Sequence, residues 1–136
     1  METEPLNLLF VCIENSNRSQ MAEAFARIHG GNAVQAFSSG SRPSGAVNPK
    51  AIASMGEIGY DLAAHQSKSL DEIPDIEYDA VVTMGCGDAC PFVKAKQRFD
   101  WQISDPKHLA PEEFRTIRDL IRDKVKTLLQ ELRKTS

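Results

Sequence analysis

The stretch LNLLFVCIENSNRSQMAEAF, residues 6–25, decides the fold of this 136-residue chain. Its first part, residues 6–11, is a short apolar run that ends abruptly at polar residues, which predicts a buried β-strand. From Arg18 to His29 apolar and small residues recur at helical spacing, and Gly30 ends the predicted helix. A strand, a short loop and a helix in this order are typical of an α/β protein with a parallel sheet.

The rest of the chain continues the alternation of strands and helices. Further strands are predicted at residues 33–38, 79–84 and 98–103. Helices are predicted over residues 48–59, as a single turn at 69–72, and from Pro111 onward. We therefore expect a three-layer α/β fold, with a four-stranded, mainly parallel sheet flanked by helices, in a single domain that covers residues 1–136.

Composition and charge exclude several classes of protein. The chain is 41% hydrophobic and 26% charged, as ordinary globular proteins are, and its net charge of -3 without a basic stripe argues against a nucleic-acid partner. The longest apolar run is far short of the ~20 residues that a bilayer needs. Glu2 and Glu4 stand where a signal peptide carries positive charge. We expect a cytoplasmic monomer with no membrane segment.

The loop between the first strand and the first helix, residues 12–19, combines a cysteine with an anion-binding pattern. Its backbone N–H groups are expected to turn inward, and the helix N-terminus adds partial positive charge. The Arg18 guanidinium can hold a tetrahedral oxyanion with two N–H groups. The same environment favours the nucleophilic thiolate form of Cys12. The predicted oxyanion-binding residues are Ile13, Glu14, Asn15, Ser16, Asn17, Arg18 and Ser19.

Neighbouring side chains complete the predicted site. Ser19 is expected to donate a hydrogen bond to the Cys12 sulfur, and Asn15 to brace the loop. The carboxylate of Glu14 would repel an anion, so it is expected to face solvent. Loops at the carboxyl ends of parallel strands meet, which makes Asp105 the candidate acid that protonates a leaving group. A buried apolar cysteine and a plain Asp-Pro turn are the alternative interpretations.

Two more cysteines, Cys86 and Cys90, lie in the segment GCGDAC, residues 85–90, after the predicted third strand. In a helical segment, residues four apart lie on one face, within the Cα separation that a disulfide tolerates. Three cysteines in an expected cytosolic chain argue against a structural disulfide framework. The residues alone leave apolar packing, zinc ligation and thiol chemistry open. Without a second close-spaced pair, we predict no metal site.

The motif VCIENSNRSQMAEAF, with a later SDP, resembles the low-molecular-weight protein tyrosine phosphatase superfamily. The segments FSSGSRPSGAVNPKAI and VVTMGCGDACP narrow the resemblance to the small arsenate reductases built on that phosphatase fold. Those enzymes use thioredoxin, glutaredoxin or low-molecular-weight thiols as reductant. The resemblance covers almost the whole chain. It implies reduction of arsenate to arsenite, with phosphate or sulfate as analogues of the substrate and no bound cofactor.

The resemblance also implies a thiol relay. Cys12 would attack arsenate while Asp105 protonates the departing oxygen. Cys86 would then attack the sulfur of the Cys12–arsenic adduct, which releases arsenite and leaves a Cys12–Cys86 disulfide. Cys90 would attack Cys86 and carry the disulfide outward to the external reductant. The two later cysteines are closer together here than in the well-known three-cysteine members, so a glutathione or mycothiol route with fewer cysteines stays open.

Two other functions are weighed against arsenate reduction. The alternative enzyme is a phosphatase that hydrolyses phosphotyrosine through a phosphocysteine, for which Cys86 and Cys90 are not needed. A non-catalytic thiol switch or oxyanion sensor is the third possibility.

Some family members bind potassium through residues that match Asn15, Glu23 and Ser38 plus an aspartate. Lys68 stands at the position of that aspartate, so we predict no potassium site.

Overall fold

The computed structural model describes residues 5–84 and 93–135. The predicted pair Cys86 and Cys90 lies outside the described residues. No α-helix in the described part of the chain has both the length and the apolar character needed to span a bilayer.

The described residues form a four-stranded parallel sheet with three α-helices. The strands are β1 Leu6–Cys12, β2 Val34–Gly40, β3 Tyr78–Thr83 and β4 Ala95–Asp100. The α-helices are α1 Arg18–Gly30, α2 Pro49–Gly56 and α3 Pro111–Thr135, and short 3-10 turns lie at Gly31–Ala33, Leu62–Ala64 and Leu70–Glu72. The strand order is β2-β1-β3-β4, and every neighbouring pair is parallel. The predicted α/β fold with a four-stranded sheet is confirmed.

Both faces of β1 are buried from Leu8 to Cys12, which explains the continuous apolar sequence of that part of the strand. Leu8 and Phe10 belong to the larger core cluster, which also contains residues of all three α-helices. Leu9 and Val11 point to the opposite face and pack in a smaller cluster with Tyr78. A strand that is covered on both faces shows no alternation of polar and apolar residues. The run at residues 6–11 therefore gave a clear sequence signal.

Two predicted elements differ from the structure by three residues at a boundary, whereas the other boundaries agree within two residues. The fourth strand was predicted at residues 98–103, but β4 spans Ala95–Asp100. It is an edge strand with mostly exposed side chains, so its sequence lacks the pattern of a buried strand, whereas the apolar residues that drew the prediction, Trp101 and Ile103, are buried just beyond its end. The helix predicted to reach residue 59 ends at Gly56, because a turn follows and Gly59 adopts φ +87.

Candidate active site

The carboxyl ends of the strands bring the predicted loops together at one pocket. Cys12 is the last residue of β1, and α1 begins at Arg18. The loop that follows β4 carries Asp105 to the same place. The pocket is lined by Cys12, Glu14, Ser16, Asn17, Arg18 and Asp105. The predicted meeting of the cysteine loop with the loop that carries Asp105 is therefore observed, whereas residues 85–92, which include Cys86 and Cys90, lie outside the described residues.

The segment 41–48 holds the backbone of the cysteine loop from one side. Amides of this segment donate hydrogen bonds to loop carbonyls at 2.8–3.2 Å, in the pairs Ser41 to Cys12, Arg42 to Ile13, Ser44 to Glu14 and Asn48 to Ser16. The described chain contains no cis peptide bond. A trans peptide points its C=O and the next N–H in opposite directions. The N–H groups of residues 13, 14, 15 and 17 consequently turn away from segment 41–48, as an anion cradle requires.

Two backbone features allow the loop to turn tightly. Asn15 has φ 51, in the left-handed region that asparagine tolerates better than most residues. Gly40, at the end of β2, lies directly against the loop. A Cβ at this glycine would be 2.6 Å from the carbonyl oxygen of Ile13 and 2.9 Å from the Asn15 nitrogen. The loop therefore depends on the absence of a side chain at residue 40.

The hydroxyl group of Ser19 lies within hydrogen-bond distance of the cysteine sulfur. Cys12 Sγ lies 2.9 Å from Ser19 Oγ, and Asn15 Nδ2 donates to the same Oγ at 2.8 Å. Asn15 supplies one proton to that hydroxyl, and the proton of the hydroxyl itself is available for the sulfur; when Cys12 is a thiolate, Ser19 must be the donor. All three residues are buried. A donated hydrogen bond stabilises a thiolate more than a thiol.

A chain of side chains behind Asn15 fixes the orientation of its amide. Asn15 Oδ1 accepts from Gln20 Nε2 at 2.9 Å, and Gln20 Oε1 lies 2.9 Å from His65 Nδ1, which must donate to it. The neutral ring then accepts at Nε2 from the Tyr60 hydroxyl, 2.6 Å away. Burial lowers the pKa of His65, partly opposed by the negative charge of Glu23, and so favours this neutral ring. No motif pointed to Gln20, His65 or Tyr60 as part of the site.

Arg18 and Asp105 meet at the pocket. Arg18 is buried and donates from Nη1 to the carbonyl oxygen of Ile103 at 2.9 Å, while its Nη2 lies 3.9 Å from Asp105 Oδ2. Asp105 Oδ1 accepts from Asn17 Nδ2 at 3.3 Å and from the Lys107 amide at 3.1 Å. Asn17 precedes α1, but its side chain does not cap that helix. The guanidinium and the candidate acid thus line the same pocket as the sulfur.

Glu14 lines the pocket but does not stand unpaired in it. Both of its carboxylate oxygens lie within hydrogen-bond distance of Lys107 Nζ, at 2.7 and 3.1 Å. Its side chain is 31% exposed. The expectation that Glu14 faces solvent therefore holds only in part, because the carboxylate is neutralised by a lysine from the opposite loop.

Lys68 lies beside the buried carboxylate of Glu23. Glu23 Oε1 accepts from Ser38 Oγ at 2.6 Å and lies 3.9 Å from Lys68 Nζ, and Oε2 lies 2.9 Å from Arg27. Two cations therefore stand near this carboxylate. In residues 5–84 and 93–135, no group of three or more histidine, cysteine or acidic side chains is arranged to hold a metal ion.

Comparison with known proteins identifies the family. The sequence profile of the low molecular weight phosphotyrosine protein phosphatases matches residues 7–136. The chain is similar to the glutaredoxin arsenate reductase of Synechocystis, with 37% identity over 92% of this chain and 97% of that protein. A solved arsenate reductase in the phosphate binding state gives a TM-score of 0.85 and 36% identity, over 93% of this chain and 98% of that one.

A third relative is a longer protein than this chain. The thioredoxin-dependent arsenate reductase of Corynebacterium glutamicum gives a TM-score of 0.81 and 27% identity, over 100% of this chain and 66% of that one. The chain belongs to the low molecular weight phosphotyrosine protein phosphatase family and, within it, to the arsenate reductases.

Proposed function

We propose that the protein reduces arsenate to arsenite through a covalent adduct on Cys12 and a relay of thiols. One observation carries this proposal: Cys12 Sγ lies 2.9 Å from the Ser19 hydroxyl, in a pocket that Arg18 and Asp105 also line. A stabilised sulfur nucleophile, an oxyanion-binding guanidinium and an acid are the groups that substitution at a tetrahedral oxyanion needs. The relatives that carry the name arsenate reductase support the choice of arsenic over phosphorus.

In the first step, the Cys12 thiolate attacks the arsenic atom. A sulfur–arsenic bond forms and an arsenic–oxygen bond breaks, and the oxygen leaves as water after it takes a proton from Asp105. Arg18 and the loop N–H groups balance the negative charge of the remaining oxygens. The 3.9 Å separation of Arg18 Nη2 and Asp105 Oδ2 supports this division of roles, since one bound oxyanion can reach both groups.

In the second step, the Cys86 thiolate attacks Cys12 Sγ. A disulfide forms, the sulfur–arsenic bond breaks, and its electron pair stays on arsenic, which goes from the +5 to the +3 state and leaves as arsenite. Cys90 then attacks Cys86 and frees Cys12, so that a Cys86–Cys90 disulfide remains. The support for this part is the sequence GCGDAC, since these cysteines lie outside the described residues.

An external thiol reductant closes the cycle. Relatives of this chain are coupled to glutaredoxin or depend on thioredoxin, as their names state. The proposal does not choose between them, because the short spacing of Cys86 and Cys90 leaves a route with fewer cysteines open. We further propose that the enzyme is a monomer of one domain. We place it in the cytoplasm, because a reducing compartment keeps its thiols available for catalysis.

The test is arsenite formation with each reductant. Purified protein is incubated with arsenate and either thioredoxin with its reductase or glutaredoxin with glutathione. The wild type should turn over many times with at least one of them. Cys12→Ser should be inactive with both, while Cys86→Ser and Cys90→Ser should lose turnover with thioredoxin. Normal turnover of both later variants would contradict the relay.

Hydrolysis of phosphotyrosine is the alternative outcome of the same assay. It uses Cys12, Arg18 and Asp105 but neither Cys86 nor Cys90. Phosphate release from a phosphotyrosine peptide, with no arsenite from arsenate under either reductant, would replace the proposed activity. Slow hydrolysis of small aryl phosphates alone would not, because the same loop serves both reactions.

A further inference from the structure

An ion pair joins the two loops that form the pocket. Lys107 Nζ contacts both carboxylate oxygens of Glu14, at 2.7 and 3.1 Å, although the two residues are 93 positions apart in the chain. Their side chains are 43% and 31% exposed, and of the two only Glu14 lines the pocket, so the pair lies where one pocket wall meets solvent. Glu14 belongs to the cysteine loop, and Lys107 belongs to the loop of the candidate acid.

The lysine is anchored at its own backbone as well. Its amide donates to Asp105 Oδ1 at 3.1 Å, and its carbonyl oxygen accepts from Lys50 Nζ at 3.2 Å. Lys50 also donates to the carbonyl oxygen of Leu109 at 3.4 Å and lies in the first turn of α2. The ion pair therefore connects the cysteine loop to a second loop whose backbone is itself held by hydrogen bonds.

The described walls of the pocket carry no aromatic or large aliphatic side chain that could pack against a ring. Apart from the cysteine at its floor, its described lining consists of polar or charged side chains, namely Glu14, Ser16, Asn17, Arg18 and Asp105. The ring of an aryl phosphate gains binding energy by leaving water for an apolar wall. Here the ring would instead meet an ion pair and remove part of its hydration, which is unfavourable. A free oxyanion carries no ring. It therefore needs only the loop N–H groups and Arg18 at the bottom of the pocket.

We propose that the Glu14–Lys107 ion pair is the specificity-determining element of this site, a bar across the mouth that admits a free tetrahedral oxyanion and excludes the organic group of a phosphate ester. The inference rests on the proposed function only for the identity of that oxyanion. The bar also explains why a carboxylate is tolerated in an anion-binding loop, since Lys107 balances its charge.

The experiment compares an aryl ester with inorganic oxyanions. For each protein, kcat/KM is measured with p-nitrophenyl phosphate and with arsenate. The double variant Glu14→Ala/Lys107→Ala removes the bar without changing the net charge. Its ratio of aryl phosphatase to arsenate reductase kcat/KM should rise about ten-fold or more over the wild type. The charge-swapped variant Glu14→Lys/Lys107→Glu re-forms the pair and should bring the ratio back toward the wild-type value.

A matched control is available on α3. Arg122 and Asp123 also form an exposed ion pair, at 3.0 Å, outside the pocket. The variant Arg122→Ala/Asp123→Ala should keep the wild-type ratio. A ratio in the Glu14/Lys107 alanine variant that stays within about three-fold of the wild type would overturn the proposal. So would a swapped variant that behaves like the alanine variant.

Failure of the proposed function would give a different result. If the wild type forms no arsenite, the proposed arsenate reduction is wrong. The aryl phosphatase kcat/KM is then compared with the inhibition constant of inorganic phosphate, measured against p-nitrophenyl phosphate, in place of the arsenate kcat/KM. Loss of the bar should then still raise aryl kcat/KM relative to phosphate binding. If the aryl kcat/KM and the inhibition constant of phosphate keep the same ratio in the Glu14/Lys107 alanine variant as in the wild type, the proposed role of the ion pair is wrong.

Discussion

Ser19 Oγ lies 2.9 Å from Cys12 Sγ and accepts a hydrogen bond from Asn15 Nδ2 at 2.8 Å. With Cys12 as a thiolate, which has no proton, the hydroxyl proton of Ser19 is donated to the sulfur. This relation links the structure of the loop to its proposed chemistry, because the nucleophile must be a thiolate.

Removal of that hydroxyl should weaken the nucleophile. A hydrogen bond to a charged group contributes about 1.5–3 kcal/mol, so Ser19→Ala should lower kcat for arsenate reduction by about 10- to 150-fold. The thiolate absorbance near neutral pH should fall in parallel. Ser39→Ala is the matched control, since Ser39 is equally buried and its Oγ has no hydrogen-bond partner among the described residues. Equal losses in the two variants would disprove the assigned role of Ser19.

Gly40 tests whether the shape of the loop is required. In Gly40→Ala the new Cβ would lie 2.6 Å from the Ile13 carbonyl oxygen, so the loop must shift. We expect a loss of stability of about 1–3 kcal/mol and a larger loss of activity. In Gly56→Ala the Cβ meets no atom within 4 Å, and stability should hold or rise by up to about 1 kcal/mol. Urea unfolding of both variants makes the comparison, and a fully active Gly40→Ala enzyme would argue against a rigid cradle.

The acid should affect the first chemical step. Asp105→Asn keeps an acceptor for Asn17 and the Lys107 amide but cannot supply a proton, so kcat should fall by about 10²- to 10⁴-fold. Asp100→Asn, an exposed change at the end of β4, should have little effect. The two variants are compared by the rate of arsenite formation in a single turnover. Near-normal rates in Asp105→Asn would remove this residue from the mechanism.

The burial of His65 predicts a dependence of stability on pH. Its pKa is lowered in the folded protein, mainly by burial, so the unfolded chain binds a proton more readily. The stabilisation is complete above the unfolded value of about 6.5 and is lost as pH falls through the lowered folded pKa. The free energy of unfolding should therefore decrease from about pH 7.5 to pH 5.

Variants can assign that loss to His65. His65→Gln should show a shallower decrease, while His108→Gln, a change at an exposed histidine, should follow the wild type. His29 needs the same comparison, because burial and two nearby cations, Lys126 and Arg122, also lower its pKa. An identical pH profile for wild type and His65→Gln would refute the assignment.

Lys68 predicts an enzyme that is indifferent to potassium. Its ammonium lies 3.9 Å from the buried carboxylate of Glu23, so a cation is already supplied by the chain. Arsenate turnover should be the same in potassium and sodium salts at constant ionic strength. Lys68→Ala should lower thermal stability, and Lys96→Ala, at an exposed ion pair, should not. A strong dependence of the wild type on potassium would contradict the prediction.

Local sequence determined much of the fold and of the cysteine loop. The apolar run before Cys12 and the helical spacing after Arg18 are short-range signals, and the topology rule for parallel sheets was enough to bring Asp105 to them. β4 was misplaced by three residues, because an edge strand with exposed side chains carries no strong pattern.

Contacts between distant segments could not be read from the sequence. Glu14 and Lys107 are 93 residues apart, and Gln20 and His65 are 45 apart, so their pairing depends on how the loops pack. Neither pair forms a motif. The roles of Cys86 and Cys90 remain predictions from the sequence.

Alkylation of Cys12 tests the central claim most directly. The protein is treated with iodoacetamide at about pH 6.5, with and without inorganic phosphate, and the labelled cysteine is located by peptide mass mapping. The account predicts that Cys12 reacts rapidly at this pH and that phosphate protects it. A Cys12 that reacts only above about pH 8, or one that phosphate does not protect, would contradict a thiolate at the floor of an oxyanion site.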